Sequence, residues 1–386
     1  MKKIVGTIAA IALATSAVFA DVNVGMGFNR GVFTPFAMVK DGDADAEFYM
    51  GNSASWGWGG PRIGVSFSAG SEDIGVVADV KFDGGEVKVN DNAYIWVKPF
   101  SFLTLKLGQA FDDTLRSGAA YGSWDLFRAS RSIRGDDAIF KRVYGGFDDT
   151  TKLRSPNAGK DESSVLTGAI IMLDPIEGLH ISVGLPIDYK YSNYNDIFSG
   201  IQVAAGYTID GIGQIKAQYI GNHNRYDPNG LINAAFCLDA VENMDLDIGF
   251  FMGTWEKSDI TITAFWGMPF DALKLNANLE VILPGQDNDK MTLTAGVGVG
   301  YDLGNGLNVG ADFRFTKKFY DNEPTVAAQK AAMEIGAWVG KGIASGSITL
   351  GVQYFMNEGA NGMFPCTYTG KTASTFAVPV MFQCFF

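Results

Sequence analysis

The chain has 386 residues, of which 47% are hydrophobic, with 48 glycines, 28 phenylalanines and 14 tyrosines, and its formal net charge is −12. This mixture is too apolar for a disordered chain, and three cysteines are too few for a disulfide scaffold. Apolar residues do not recur in runs of about 20, which excludes a bundle of membrane-spanning helices, and the acidic balance disfavours nucleic acid as a partner.

Met1-Lys2-Lys3 leads into an apolar run from Ile4 to Leu13, followed by Ala14-Thr15-Ser16-Ala17-Val18-Phe19-Ala20. A basic start, a short apolar core and small residues before Asp21 predict a secretory signal over 1–20, cleaved after Ala20. Residues 21–386 are then one domain, with 28 basic against 42 acidic residues once Lys2 and Lys3 are gone.

From Asp21 onward the apolar residues recur with a period of two, the signature of a strand with one face on an apolar phase and the other on water. A first strand is expected over 22–40, interrupted at Asn29-Arg30-Gly31. Asp41, Asp43, Asp45 and Glu47 follow as an alternating acidic run; it lacks the glycine and distant glutamate of a calcium loop, so it is a weak metal candidate and reads as a solvated face. Trp56-Gly57-Trp58 suits packing or an interfacial belt better than a subunit contact or adhesive tip. Strands over 61–70, 74–82, 91–98 and 102–109 come next.

The connection from Ala110 to Glu162 is far longer than an unstructured loop inside a domain should be, which marks it as functional. It holds six of the ten arginines, Arg116, Arg128, Arg131, Arg134, Arg142 and Arg154, together with acids that include Asp112, Asp113, Asp125, Asp136 and Asp137. Ser123 can cap, Asp125 suits the positive end and Gly135 can stop a helix of about three turns over 123–134. Arg128, Arg131 and Arg134 then share one face, so an inward-folded segment would set a guanidinium ladder against carboxylates and create a transverse field. Gly64, Ser66, Ser68 and Gly75 on neighbouring strands leave room for it.

Beyond this segment the alternation resumes over 201–210, 245–250, 259–266, 273–281, 291–302, 307–316 and 346–354. In 307–316, Leu307, Val309, Ala311, Phe313 and Phe315 alternate with Asn308, Gly310, Asp312, Arg314 and Thr316. Parity alone assigns Arg62, Lys106, Gln202, Lys216, Gln218, Lys274, Asn276, Asn278, Glu280, Asp312 and Arg314 to the polar face, with few aromatics beside them. Phe100, Phe102, Phe270, Tyr301, Phe319 and Tyr354 fall at strand ends, where aromatic girdles form.

Connections alternate between short and long. Short turns fall at 71–73, 99–101, 174–178, 210–213, 242–245, 268–271, 303–306 and 341–345; longer polar connections fall at 41–60, 83–90, 110–162, 191–196, 223–230, 284–289, 319–328 and 357–371. Eight short turns joining nine hairpins predict an all-β, up-and-down antiparallel transmembrane barrel of about 18 strands, with 16 as the neighbouring count. Closure follows because backbone groups in hydrocarbon must all be paired.

No G-x-S-x-G, Walker or H-E-x-x-H pattern occurs, so no enzyme and no cofactor is expected. His180, after a short turn, and His223, near Asp227, read as solvated loop histidines; Cys237, Cys366 and Cys384 lack any metal or redox spacing.

The chain ends Thr375-Phe376-Ala377-Val378-Pro379-Val380-Met381-Phe382-Gln383-Cys384-Phe385-Phe386, with Phe376, Val378, Val380, Phe382, Cys384 and Phe386 on one face. This resembles the assembly signal of Gram-negative outer-membrane barrels, departing from it at Cys384 and at Pro379, which removes a ladder donor and suits a bulge. The longest connection follows the fifth strand, as in general diffusion porins, to which the chain is similar in architecture but not in the acidic motif of enteric eyelets. The resemblance implies the outer membrane, its lipids and the barrel-assembly machinery as surroundings, and allows a homotrimer. The function it implies is passive diffusion of small polar solutes and ions through a water-filled pore, the competing reading being an adhesin or antigen that binds partners through its long outer loops.

Overall fold

A computed structural model describes residues 21–53, 63–83, 86–110, 112, 114–115, 168–186, 200–221, 230–285, 289–320, 330–358 and 372–385. The described elements are all strands. In chain order they are β1 (Asp21–Lys40), β2 (Glu47–Ser53), β3 (Ile63–Gly70), β4 (Ile74–Asp83), β5 (Glu86–Phe100), β6 (Leu103–Gln109), β7 (Gly168–Ile176), β8 (Leu179–Pro186), β9 (Gln202–Ile209) and β10 (Gly213–Ile220). There follow β11 (Leu231–Leu238), β12 (Asp245–Gly253), β13 (Ile260–Phe270), β14 (Leu273–Leu283), β15 (Asp289–Gly304), β16 (Leu307–Tyr320), β17 (Ala332–Ile343), β18 (Gly346–Glu358) and β19 (Ala373–Phe385).

From β3 to β19 each strand pairs antiparallel with the next. β1 closes the ring: one flank takes β19, and the other takes β3 along Asp21–Phe28 and β2 along Val32–Val39. Because β2 and β3 run in the same direction along one flank of β1, they are two halves of a single wall position. The nineteen described strands therefore occupy eighteen positions around the wall.

Alternation dictates what each face meets. Along β16, Phe313 is 37% exposed on the outside while Arg314, one residue on, is 1% exposed on the inside. The same inversion holds for Ile335 against Glu334, Leu350 against Thr349 and Ile262 against Thr263, with the apolar member exposed and the polar one buried. Exposed apolar side chains around the outer wall are what hydrocarbon solvates, so the fold is a transmembrane β-barrel. Phe100, Phe102, Phe270, Tyr301 and Tyr354 stand exposed near strand ends, and the Phe100 and Phe102 rings stack at 5.4 Å.

Three connections differ from the expected pattern. The stretch 41–60, read as one outer connection, contains β2, because Glu47–Ser53 alternates: Phe48 and Met50 point outward and Tyr49 packs against Val39 and Ala373. The stretch 83–90, read as a long connection, is strand on both sides, since Glu86-Val87-Lys88-Val89 alternates and Asp83 pairs with Glu86 across two residues. Residues 254–259, not anticipated as a connection, join β12 to β13 compactly, with the Trp255 ring over Gly253 and the Ser258 hydroxyl accepting from the Gly253 amide at 2.6 Å.

The expected interruption at Asn29-Arg30-Gly31 is a register shift between Phe28 and Gly31 inside a continuous strand. A second shift, between Phe33 and Phe36 of β1, lies opposite Val380 and Val378. Pro35 and Pro379, neither of which carries an N–H, thus meet where the ladder is already broken. Phe382 faces outward and pairs with Ile348 and Gly31; Phe386 lies outside the described residues.

Candidate functional site in the barrel lumen

The inward phase of β13 to β18 carries a band of polar side chains, whereas that of β19 is mainly Ala373, Ala377 and Met381 beside Thr375. Register sets Thr263, Glu280, Thr294 and Thr316 in one row across β13 to β16, and Asn278, Gly296, Arg314 and Glu334 in the next across β14 to β17. Glu280, Arg314 and Glu334 are buried, Arg314 lies directly opposite Glu334, and the Gln353 amide donates to Glu334 Oε1 at 2.7 Å. The Thr294 and Thr316 hydroxyls meet at 2.9 Å. Glycines on β15 make room for the long side chains beside them: a Cβ on Gly298 would lie 2.6 Å from Asn276 Oδ1.

Strands β5 to β11 carry further cations and an anchored piece of chain. Lys106 lies over the Tyr94 ring at 5.2 Å and Lys98 over Trp96 at 5.6 Å. Past β6, Ala110 packs on Ile170, Tyr94 and Met172, and Leu115 is buried against Ala204 and Ala235. A Cβ on Gly206 would lie 2.3 Å from Leu115 Cδ2, so that glycine makes the recess Leu115 fills. Buried Lys216 donates from Nζ to the Leu115 carbonyl at 2.9 Å. Asp112 accepts at Oδ1 from the Thr114 amide and hydroxyl, 3.0 and 2.6 Å, and its Oδ2 meets His180 Nε2 at 2.8 Å. Burial by itself would push the Asp112 carboxyl up, but these hydrogen bonds override it and hold the group well below the usual carboxylate range.

Of the residues assigned to the lumen by parity, Lys106, Gln202, Lys216, Gln218, Lys274, Asn276, Asn278, Glu280, Asp312 and Arg314 all lie on the inward phase. Arg62 lies outside the described residues, as do Arg116, Arg128, Arg131, Arg134, Asp136, Asp137 and Arg142 of the arginine segment, and His223. Asp43, Asp45 and Glu47 are exposed and Asp41 is half-buried around the β1–β2 connection, and among the described residues no three His, Cys, Asp or Glu are gathered to hold a metal ion.

Three readings are corrected. His180 is not a solvated loop residue: it is the second residue of β8, 7% exposed, with Nδ1 2.7 Å from Asp174 Oδ1. The signal was its parity with Ser182 and Gly184, obscured by the nearby turn. Gly75 does not leave space for the long segment, because a Cβ there would lie 2.6 Å from Trp96 Nε1; the indole occupies that space. Aromatics are not scarce inside either, since Tyr94, Trp96, Phe251, Phe265, Trp338 and Phe355 share the inward phase, each alternating with outward residues that are themselves apolar.

No family model matches the sequence, and no curated protein is similar to it in sequence. Solved structures are similar in fold. OpdL of Pseudomonas aeruginosa matches with a TM-score of 0.54 at 11% identity, covering 95% of this chain and 99% of that one. OccK11 (OpdR) of the same organism gives 0.52 at 9%, covering 94% and 95%. A mutant of the Rh. blastica porin gives 0.51 at 12%, covering 94% and 100%. The fold is thus that of outer-membrane porin barrels over nearly the whole chain.

Proposed function

We propose that this chain is a passive outer-membrane channel through which small hydrophilic solutes and ions diffuse. One observation supports the reading: among the described residues the inner wall carries Thr, Asn, Gln, Glu, Asp, Lys and Arg side chains interspersed with small and aromatic ones, while the outer wall exposes apolar side chains. A lumen of that chemistry holds water and exchanges weak hydrogen bonds with solutes. Residues 1–20 are its export signal, the short turns face the periplasm, and Phe382 with Phe386 presents the closing strand to the assembly machinery.

In this proposal 110–162 is the constriction, with Arg116, Arg128, Arg131, Arg134 and Arg142 facing acids that include Asp136 and Asp137. Support for an inward course comes from its first residues, since Asp112 and Leu115 are held against β8 to β11. Refolded protein in planar bilayers is expected to give discrete open steps. Neutralising Arg128, Arg131 and Arg134 together is expected to raise the step size and shift the reversal potential under a salt gradient towards cations. A silent bilayer from verified folded protein would sink the channel reading in favour of a partner-binding barrel, and unchanged selectivity would remove the arginines from the constriction.

A further inference from the structure

The hairpins from β3–β4 to β17–β18 turn at one end of the wall, and six of their eight turns carry exposed carboxylates in or beside them. Five of the six follow one another around the rim: Glu177 at β7–β8, Asp210 at β9–β10, Glu242 at β11–β12, Asp271 at β13–β14 and Asp302 at β15–β16. Glu72 stands apart at β3–β4. Lysines at this end are fewer, and two are engaged: Lys98 lies over the Trp96 ring and Lys341 donates to the Asn305 carbonyl. None of the five carboxylates is in an ion pair with a described residue, the pairs at this end being those of His180 with Asp112 and Asp174. They are spread over separate turns, and among the described residues no three His, Cys, Asp or Glu could hold a metal ion between them.

Strands lie about 4.8 Å apart, so successive turns of this arc lie about 10 Å from one another along the rim. That spacing equals one screening length at about 0.1 M salt and exceeds it about threefold at about 1 M. In dilute salt the five fields therefore merge into one negative potential at the mouth, which the low-dielectric wall and bilayer focus. In concentrated salt each charge is screened from the next. We propose that the arc is a cation-gathering vestibule: it concentrates small cations at the periplasmic mouth and depletes anions there, by its field and not by coordination. The vestibule rests on the channel reading and on the short turns facing the periplasm. A mean potential of about one kT enriches monovalent cations roughly threefold. This preference adds to whatever the constriction selects, so it emerges as a difference between parent and variant under one salt gradient.

The test is the reversal potential of refolded protein in planar bilayers under a salt gradient, for the parent and for Glu177→Gln, Asp210→Asn, Glu242→Gln and Asp271→Asn combined. All four side chains are exposed, and Asn tolerates the positive φ of 52° at Asp271, so the variant is expected to fold. In dilute salt the variant is expected to lose a factor of about two to three in its cation-to-anion permeability ratio. In concentrated salt the two proteins are expected to agree. Equal ratios in dilute salt would overturn the vestibule. A difference that persists undiminished in concentrated salt would overturn it too, because a contact and not a field would then set the preference. A bilayer that stays silent with both folded proteins sinks the channel and the vestibule together, whereas open steps with equal ratios sink the vestibule alone.

Discussion

Arg314→Met is expected to destabilise the folded barrel by about 3–5 kcal/mol, the scale of breaking a buried charge pair from one side. Arg314 is 1% exposed and lies opposite Glu334, which is 0% exposed, while Asp312 and Glu280 occupy nearby positions of the same inner wall. Removing that guanidinium takes a positive charge from beside these carboxylates. The measurement is the urea midpoint of micelle-folded protein followed by tryptophan fluorescence. The double variant with Glu334→Gln should lose clearly less than the two single losses added together, because the second substitution removes the charge the first one stranded. Additive losses would show that the two side chains do not share an interaction.

The second large effect is expected on the outer face. Val297, 55% exposed near the middle of the sixteen-residue β15, faces the hydrocarbon, so Val297→Arg should cost about 2–4 kcal/mol. Gly300→Lys, three residues on, puts its charge on the inner phase, and its Cβ meets nothing closer than Lys274 Cβ at 3.9 Å. That change should fall within the roughly ±0.5 kcal/mol of an ordinary surface substitution. The pair is read by yield and unfolding midpoint after refolding into lipid vesicles. Equal losses at both positions would contradict the assignment of inside and outside.

The wall was legible from sequence because parity is a local property. Leu307 to Thr316 alternates so strictly that every inner residue could be named from that stretch alone, and the ten assigned residues that are described all lie on the inner phase. Strand ends were less legible where polar residues alternate with apolar ones. Glu47–Ser53 and Glu86–Asn90 look like connections because their acids and asparagines are as frequent as in loops, yet register continues through both. The lumen contacts were illegible for a different reason. Nothing local in Gly75 says that Trp96 will lie over it, and nothing near His180 says that Asp112 will arrive from 68 residues upstream. These are matters of which strands become neighbours and how far each side chain reaches. The inner aromatics escaped because alternation was scored as polar against apolar, and a strand such as β12, with Phe250 outside and Phe251 inside, is apolar on both faces.

The meeting of Pro35 and Pro379 bears on how the wall is completed. All pairings from β3 to β19 join strands consecutive in the chain, so they can form hairpin by hairpin; the β1–β19 pairs join residues at least 334 positions apart. Contacts of such separation form last, and until they do both edges of the sheet are bare, a state hydrocarbon does not tolerate. Commitment to the bilayer therefore rests on a single fastening rather than on the sum of its hairpins. That fastening has a rung missing by covalent design, which marks it as the line along which a loosened wall would first part.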